Sequence, residues 1–510
     1  MAAEPIKSII ILGGGTAGWS AAACLSRFLQ DQDVSITLVE SSQIATVGVG
    51  EASIPNIRNF NEFVGLNERS FIESTNGTFK LGIGFHDWAE LGSSFFHPFG
   101  DYGLSLGEFD FFSCFMKAKE TDPNLRLETY SLACQLAKKK RFAQPISDQA
   151  STLSQFGYAF HFDATLYAQR LRQLATMRGV EHVDERVADV GLDPETGHIS
   201  YLALENGLKL EGDLFVDCSG FRALLIEQAL QTGYEDWSHW LPCDRAISLP
   251  CSSERPDTLK PYTIATARSS GWSWRIPLQH RIGNGYVYAS VFQTDEDAQA
   301  ELEQSLEAPA SADPNRQRFT AGMRAKFWNK NCVSLGLASG FIEPLESTSI
   351  NLVHRALSIL MNYFPDRSFD PVLSREANSQ FQAEQERVRD FIILHYKLSR
   401  RTDTAFWRHV TEQSVPESLA RKMDLFQARG KLLNYEFESF EPASWQTLYA
   451  GFGVQPRTLD LKLNTVPIDQ LKLALSKIET SVEQAAGSAL PHHQFIANHF
   501  GPAPAQQEIA

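Results

Sequence analysis

Three glycines spaced G-x-G-x-x-G, at Gly13, Gly15 and Gly18, stand near the start of the chain. Glycines at this spacing can hold a dinucleotide. Gly13 permits a tight bend and Gly15 lets the backbone approach a pyrophosphate. Gly18 lets a helix pack closely on a strand, with the helix N-terminus turned to the phosphates. Glu40 lies 22 residues after Gly18, where a carboxylate can accept both hydroxyls of an adenosine ribose. Two further stretches offer close backbone approach. Gly48 and Gly50 fall in a short apolar loop at 46–55. Residues 339–350 read as a glycine turn followed by a Ser/Thr-rich helix start, whose free N–H groups can face an anion.

These residues require particular elements around them. The apolar run 9–12 suits a buried parallel strand, 21–25 a helix, and 34–39 a second strand ending in Glu40. Residues 164–178 and 125–140 read as helices, and 138–141 as a solvated charge run. Residues 180–220 alternate as strands. Residues 245–295 are rich in strand signals and form a substrate-side sheet; Trp272 and Trp274, two apart on one strand, face the same side. Residues 332–338 read as a buried strand. Aromatic density at 79–100 suits a pocket for a flat arene. From about 375 to 500 the periodicity is helical, most clearly at 380–396. A second dinucleotide fingerprint is absent, and the glycine pair at 283 and 285 lacks a strand-turn-helix context. Reducing equivalents are therefore expected from outside the chain or from a transient nicotinamide visitor.

Composition narrows the class. With 510 residues, 43% hydrophobic and 21% charged, the chain can bury a large core as an ordinary globular enzyme. A formal net charge of -15 argues against nucleic acid and anionic membrane as partners. No apolar run reaches membrane-spanning length and no signal peptide is visible, so a cytoplasmic protein is expected. The seven cysteines form no C-x-x-C pair and the 13 histidines no ligand spacing, so neither a disulfide framework nor a metal site is expected.

Gly13–Trp19 as GGGTAGW and Gly271–Pro277 as GWSWRIP resemble the flavin-dependent tryptophan halogenase family, whose signatures are a GxGxxG turn and a WxWxIP motif. The resemblance extends through residues 48–52, 79–82, 97–99, 217–222 and 343–348, and reaches 395–396 and 406–407. It implies an α/β fold of the FAD-dependent monooxygenase-like (GR2) type. The FAD-binding box and its inserted sheet then occupy 1–375, a helical part completing the substrate pocket 376–500, and a flexible tail 501–510. FAD contacts are implied at Thr16, Ala17, Val47, Gly48, Val49, Ala52, Val187, Leu337 and Ile350, besides the glycine turn and Glu40.

The implied chemistry uses FADH2 from a separate NAD(P)H-dependent flavin reductase, oxygen, and chloride or bromide to form hypohalous acid. Lys80 captures or holds that species in a second chamber. Glu346 stabilises positive charge as the arene attacks. The halide sits on backbone amides at Thr348 and Ser349, the latter commonly glycine in the family. Trp272 and Trp274 wall the flavin from the substrate, while His97 and Phe99 line the arene pocket. The resemblance leaves room for a homodimer.

Tryptophan-specific members grip the amino-acid moiety with a Tyr-Tyr pair and a glutamate. The corresponding region, 433–453, contains no Tyr-Tyr pair. The expected substrate is therefore indole, another simple indole or a larger arene, with bromide preferred. The principal alternative is a two-component FAD monooxygenase that hydroxylates or epoxidises an aromatic. A flavin-binding protein without catalysis is a third reading.

Overall fold

The three isoleucines of the strand Ser8–Leu12 are all buried, so both faces of this strand are covered. That is the signature of a parallel sheet with layers on either side. The computed structural model, describing residues 4–44, 50–148, 151–252 and 259–500, places this strand inside a six-stranded sheet. Its order is Trp328–Asn329, Cys332–Ser334, Leu214–Asp217, Ser8–Leu12, Ser35–Glu40 and Glu181–Asp184. All pairings are parallel except the first, a hairpin. The helix Thr16–Phe28 crosses between the two central strands and buries Ala21, Ala22, Ala23, Cys24 and Leu25. It packs on the helix Ala164–Met177, which matches the expected span to within a residue.

The strand-rich middle of the chain forms an eight-stranded sheet. Gly271–Pro277 lies at its centre, between Arg281–Tyr288 and Thr263–Arg268. Thr263–Arg268 pairs in parallel with Gly82–His86, which brings the aromatic segment alongside. A third, three-stranded sheet joins Gly50–Ala52, Ala159–Asp163 and Thr78–Lys80, with Lys80 opposite Ala159. The long helix Pro371–Lys397 is capped by Asp370, whose side chain accepts from Val372 N. One apolar cluster extends from Ile6 to Ile496. No helix among the described residues is long and apolar enough to cross a membrane.

Three local expectations change. Residues 125–140 do not make one helix. Ser131 adopts an extended conformation and caps Leu132–Lys138, splitting it from a 3-10 turn at Leu127–Tyr130. The strand at 332 ends at Ser334, because Gly336 takes φ +62° and starts a 3-10 turn. The charge run at 138–141 is exposed over its lysines, but Arg141 donates to the carbonyls of Gly487 and Ala489 and fastens the C-terminal helices. Val47, Gly48, Val49 and the tail 501–510 lie outside the described residues.

Candidate active site

The glycine turn behaves as its spacing requires. Gly13 has φ +113°, and a Cβ there would sit 2.2 Å from the Cys218 carbonyl oxygen. A Cβ on Gly18 would sit 1.8 Å from the Gly13 carbonyl oxygen, so this glycine serves packing. A Cβ on Gly15 would meet no protein atom within 4 Å. Its open face borders a cavity of about 780 Å³, within the usual size of a cofactor or ligand pocket. Glu40 leans over Gly14, where a Cβ would lie 1.6 Å from Oε2, and its Oε1 lies 3.0 Å from His182 Nε2.

Gly13, Gly15, Thr16, Ala17, Glu40 and Ala52 line this cavity, as do Val187, Leu337 and Ile350 further along it. Ser20, buried on the same wall, has a hydroxyl with no hydrogen-bond partner in the protein. A free hydroxyl, an open glycine face, a helix N-terminus and an acid at the end of the second strand fit the phosphates and ribose of FAD.

Trp272 and Trp274 also line this cavity, with ring centroids 6.0 Å apart. Trp272 is buried and its indole N–H donates to Glu343 Oε2 at 2.6 Å. Trp274 lies across Gly285, where a Cβ would be 2.0 Å from the indole. Gly285 thus clears space for an aromatic ring, a packing role that the sequence pattern did not disclose. Glu343 also accepts from the Tyr396 hydroxyl at 2.6 Å, and burial raises its carboxyl to about 7.

Lys80 is hydrogen-bonded to Ser347, the neighbour of Glu346 and 267 positions along the chain, a consequence of the three-stranded sheet meeting the loop before the helix Ser349–Asn362. Lys80 Nζ donates to the Ser347 hydroxyl at 2.7 Å and the Ser53 carbonyl at 2.9 Å. It lies 5.1 Å from the centre of the Phe99 ring. Burial lowers the amine to about 7, and the charge on Glu346 partly opposes that fall. Burial alone would raise Glu346. His97 and His395 reverse this and hold the carboxylate at about 2. His97 donates from Nδ1 at 2.9 Å and His395 from Nε2 at 2.8 Å. The other nitrogen of His395 faces the Phe391 carbonyl at 2.9 Å, so its ring is held at both ends. His97 therefore touches the carboxylate directly, while its ring approaches Phe440, itself stacked on Phe391 at 3.8 Å.

Thr348 immediately precedes the helix Ser349–Asn362, and Ser347 takes φ +60° to turn the chain into it. Ser349 borders the cavity, and the helix start leaves its first N–H groups without intrahelical partners. Sequence reasoning assigned no role to Ser53, Ser347, Glu343, His395 or Tyr396. The only hint was two acids three residues apart in 343–346 and the adjacent His395-Tyr396 pair.

Fold and site define a dinucleotide-binding α/β enzyme with a buried amine and a charged carboxylate near the cofactor cavity. The tryptophan halogenase family profile matches residues 8–467. Tryptophan 6-halogenase SttH of Streptomyces toxytricini is 38% identical over 82% of this chain and 84% of its own length. Tryptophan 7-halogenase RebH of Lentzea aerocolonigenes is 33% identical over 97% of this chain and 99% of its own. The solved structure of BrvH, a flavin-dependent halogenase from Brevundimonas sp. BAL3, superposes with a TM-score of 0.94. It is 44% identical and covers 97% of this chain and 99% of that one. The chain belongs to the tryptophan halogenase family and is a flavin-dependent halogenase.

Proposed function

We propose that this enzyme halogenates an electron-rich arene of the indole type, with bromide as the preferred halide, using Lys80 and Glu346. The observation that carries the reading is a buried amine near neutrality hydrogen-bonded to Ser347, whose neighbour Glu346 is a carboxylate held ionised by two histidines. When bound, FADH2 would supply two electrons and two protons, with which oxygen, halide and one further proton become hypohalous acid and water. Trp272 and Trp274 keep the arene from the flavin. Lys80 holds the electrophilic halogen through its N–H groups or, when neutral, through nitrogen. Glu346 faces the positive charge that develops as the arene attacks. Thr348 and Ser349 present the halide with backbone N–H groups. FADH2 comes from a separate NAD(P)H-dependent flavin reductase.

The substrate part rests on the C-terminal region. Its glutamate–lysine pair and its first tyrosine are tied to the protein, while the Trp445 indole N–H and the Tyr449 hydroxyl are buried without a hydrogen-bond partner. Glu438 pairs with Lys422, the Tyr435 hydroxyl donates to the Ser418 carbonyl at 3.2 Å, and Tyr449 stacks on Phe426 at 3.7 Å. The test is incubation with FAD, a flavin reductase, NADH and bromide or chloride against indole, tryptophan and phenols, read by mass spectrometry. Brominated indole is expected. Fast chlorination of tryptophan would refute the substrate assignment. A hydroxylated product formed without halide would refute halogenation in favour of oxygen transfer.

A further inference from the structure

The helix Ser349–Asn362 carries polar side chains at Asn351 and His354, and Thr348 precedes it at the same three-residue interval. Residues three apart share a flank of a helix. All three are buried, at 0%, 4% and 8% exposure for Thr348, Asn351 and His354. The Thr348 hydroxyl, both amide atoms of Asn351 and both ring nitrogens of His354 have no hydrogen-bond partner in the protein. A close-packed core rarely leaves such groups dry, because each has lost its water without replacement. Five such atoms in one row point to something polar that they serve.

The ends of the row say what it connects. Thr348 lies beside Ser349 and Ile350, which border the cofactor cavity. His354 is the most accessible of the three, and its ring lies flat on Phe60 of the helix Ile57–Phe63, 3.6 Å between centroids. Burial keeps this imidazole neutral, lowering it to about 3. A neutral ring beside an amide and a hydroxyl offers hydrogen-bond donors without a fixed charge that would trap an anion.

We propose that Thr348, Asn351 and His354 line a hydrated path along which halide reaches the start of this helix. The inference rests on the halogenase reading, in which one halide is consumed per turnover. An apolar arene gains nothing from such a row, whereas a small anion must trade its hydration shell for donors along its way.

The test compares wild type with His354→Phe, Asn351→Leu and Asn351→Asp, each reconstituted with FAD. His354→Phe keeps a ring stacked on Phe60. Initial rates are measured against bromide concentration at saturating arene, with FAD affinity read separately by flavin fluorescence. The KM for bromide should rise roughly tenfold in His354→Phe and Asn351→Leu, and further in Asn351→Asp, where a like charge repels the anion. FAD affinity and the arene KM should stay within twofold. Bromide-soaked wild-type crystals should show anomalous scattering between Asn351 and His354. Bromide KM values within twofold of wild type in the folded variants, together with no anomalous peak, would overturn the path while leaving halogenation intact. A wild type giving no halide-dependent product would overturn the underlying reading and this inference with it.

Discussion

Lys80 turns the burial of one amine into a measurable pH profile. Its fall from 10.5 to about 7 corresponds to about 5 kcal/mol held against the protonated form, at about 1.36 kcal/mol per unit. At pH 8 about nine-tenths of the amine is neutral, against about 0.3% for an ordinary lysine. If neutral nitrogen captures the halogen, the single-turnover rate of arene halogenation should fall tenfold per unit below pH 7 and level off above it. Glu346→Gln removes the charge that props the amine up, so any residual activity should have its midpoint at lower pH. Glu343→Gln should leave the midpoint in place, which separates Lys80 from the carboxyl of Glu343 near the same value. Stability offers an independent check. The burial penalty is fully present below pH 7 and fades as the pH rises toward 10.5, because only the unfolded chain then keeps the proton. Lys80→Met loses two hydrogen bonds worth about 1 kcal/mol each, leaving a net gain of about 3 kcal/mol at pH 6. Thermal melts should show the variant more stable at pH 6, with an advantage that shrinks and reverses by pH 10. A pH-independent turnover rate, or a stability difference that ignores pH, would refute the reasoning.

Glu346→Gln should lower single-turnover halogenation by about 10²- to 10³-fold while FAD affinity, read by flavin fluorescence, is unchanged. Gly15→Ala should fold like wild type in far-UV circular dichroism yet bind FAD more weakly, since its Cβ meets no protein atom; Gly13→Ala should lower the melting temperature, since its Cβ meets the Cys218 carbonyl at 2.2 Å. Trp272→Phe removes the indole donor to Glu343 and should raise the ratio of hydrogen peroxide to halogenated product severalfold, measured by peroxidase-coupled dye oxidation alongside chromatography.

The cofactor side was legible because its determinants are local. Gly13, Gly15, Gly18 and Glu40 belong to one strand-helix-strand unit, and each position has a backbone reason that can be read within about 30 residues. The surroundings of Lys80 and Glu346 were legible only through family resemblance. Nothing in residues 78–82 announces that Lys80 is buried, since a lysine in an apolar run usually reaches solvent. Its depressed amine depends on Ser53, Ser347 and Phe99, which only tertiary pairing assembles. His395 was visible as a matching residue but without a role, because its function is a contact with Glu346, 49 positions earlier. Ser131 broke an expected helix because a serine can cap as readily as continue, and local periodicity does not decide between them.

Glu343 and Glu346 sit on one turn, and their partners Tyr396 and His395 are neighbours on one helix. Tyr396 shares its acceptor with the indole of Trp272. A shift of the long helix would therefore slacken the tryptophan screen and loosen Glu346 in the same motion. On the proposed reading this is an interlock: the barrier that contains a corrosive oxidant and the charge that directs it fail together. A damaged molecule would lose directed halogenation and leak oxidant at the same moment.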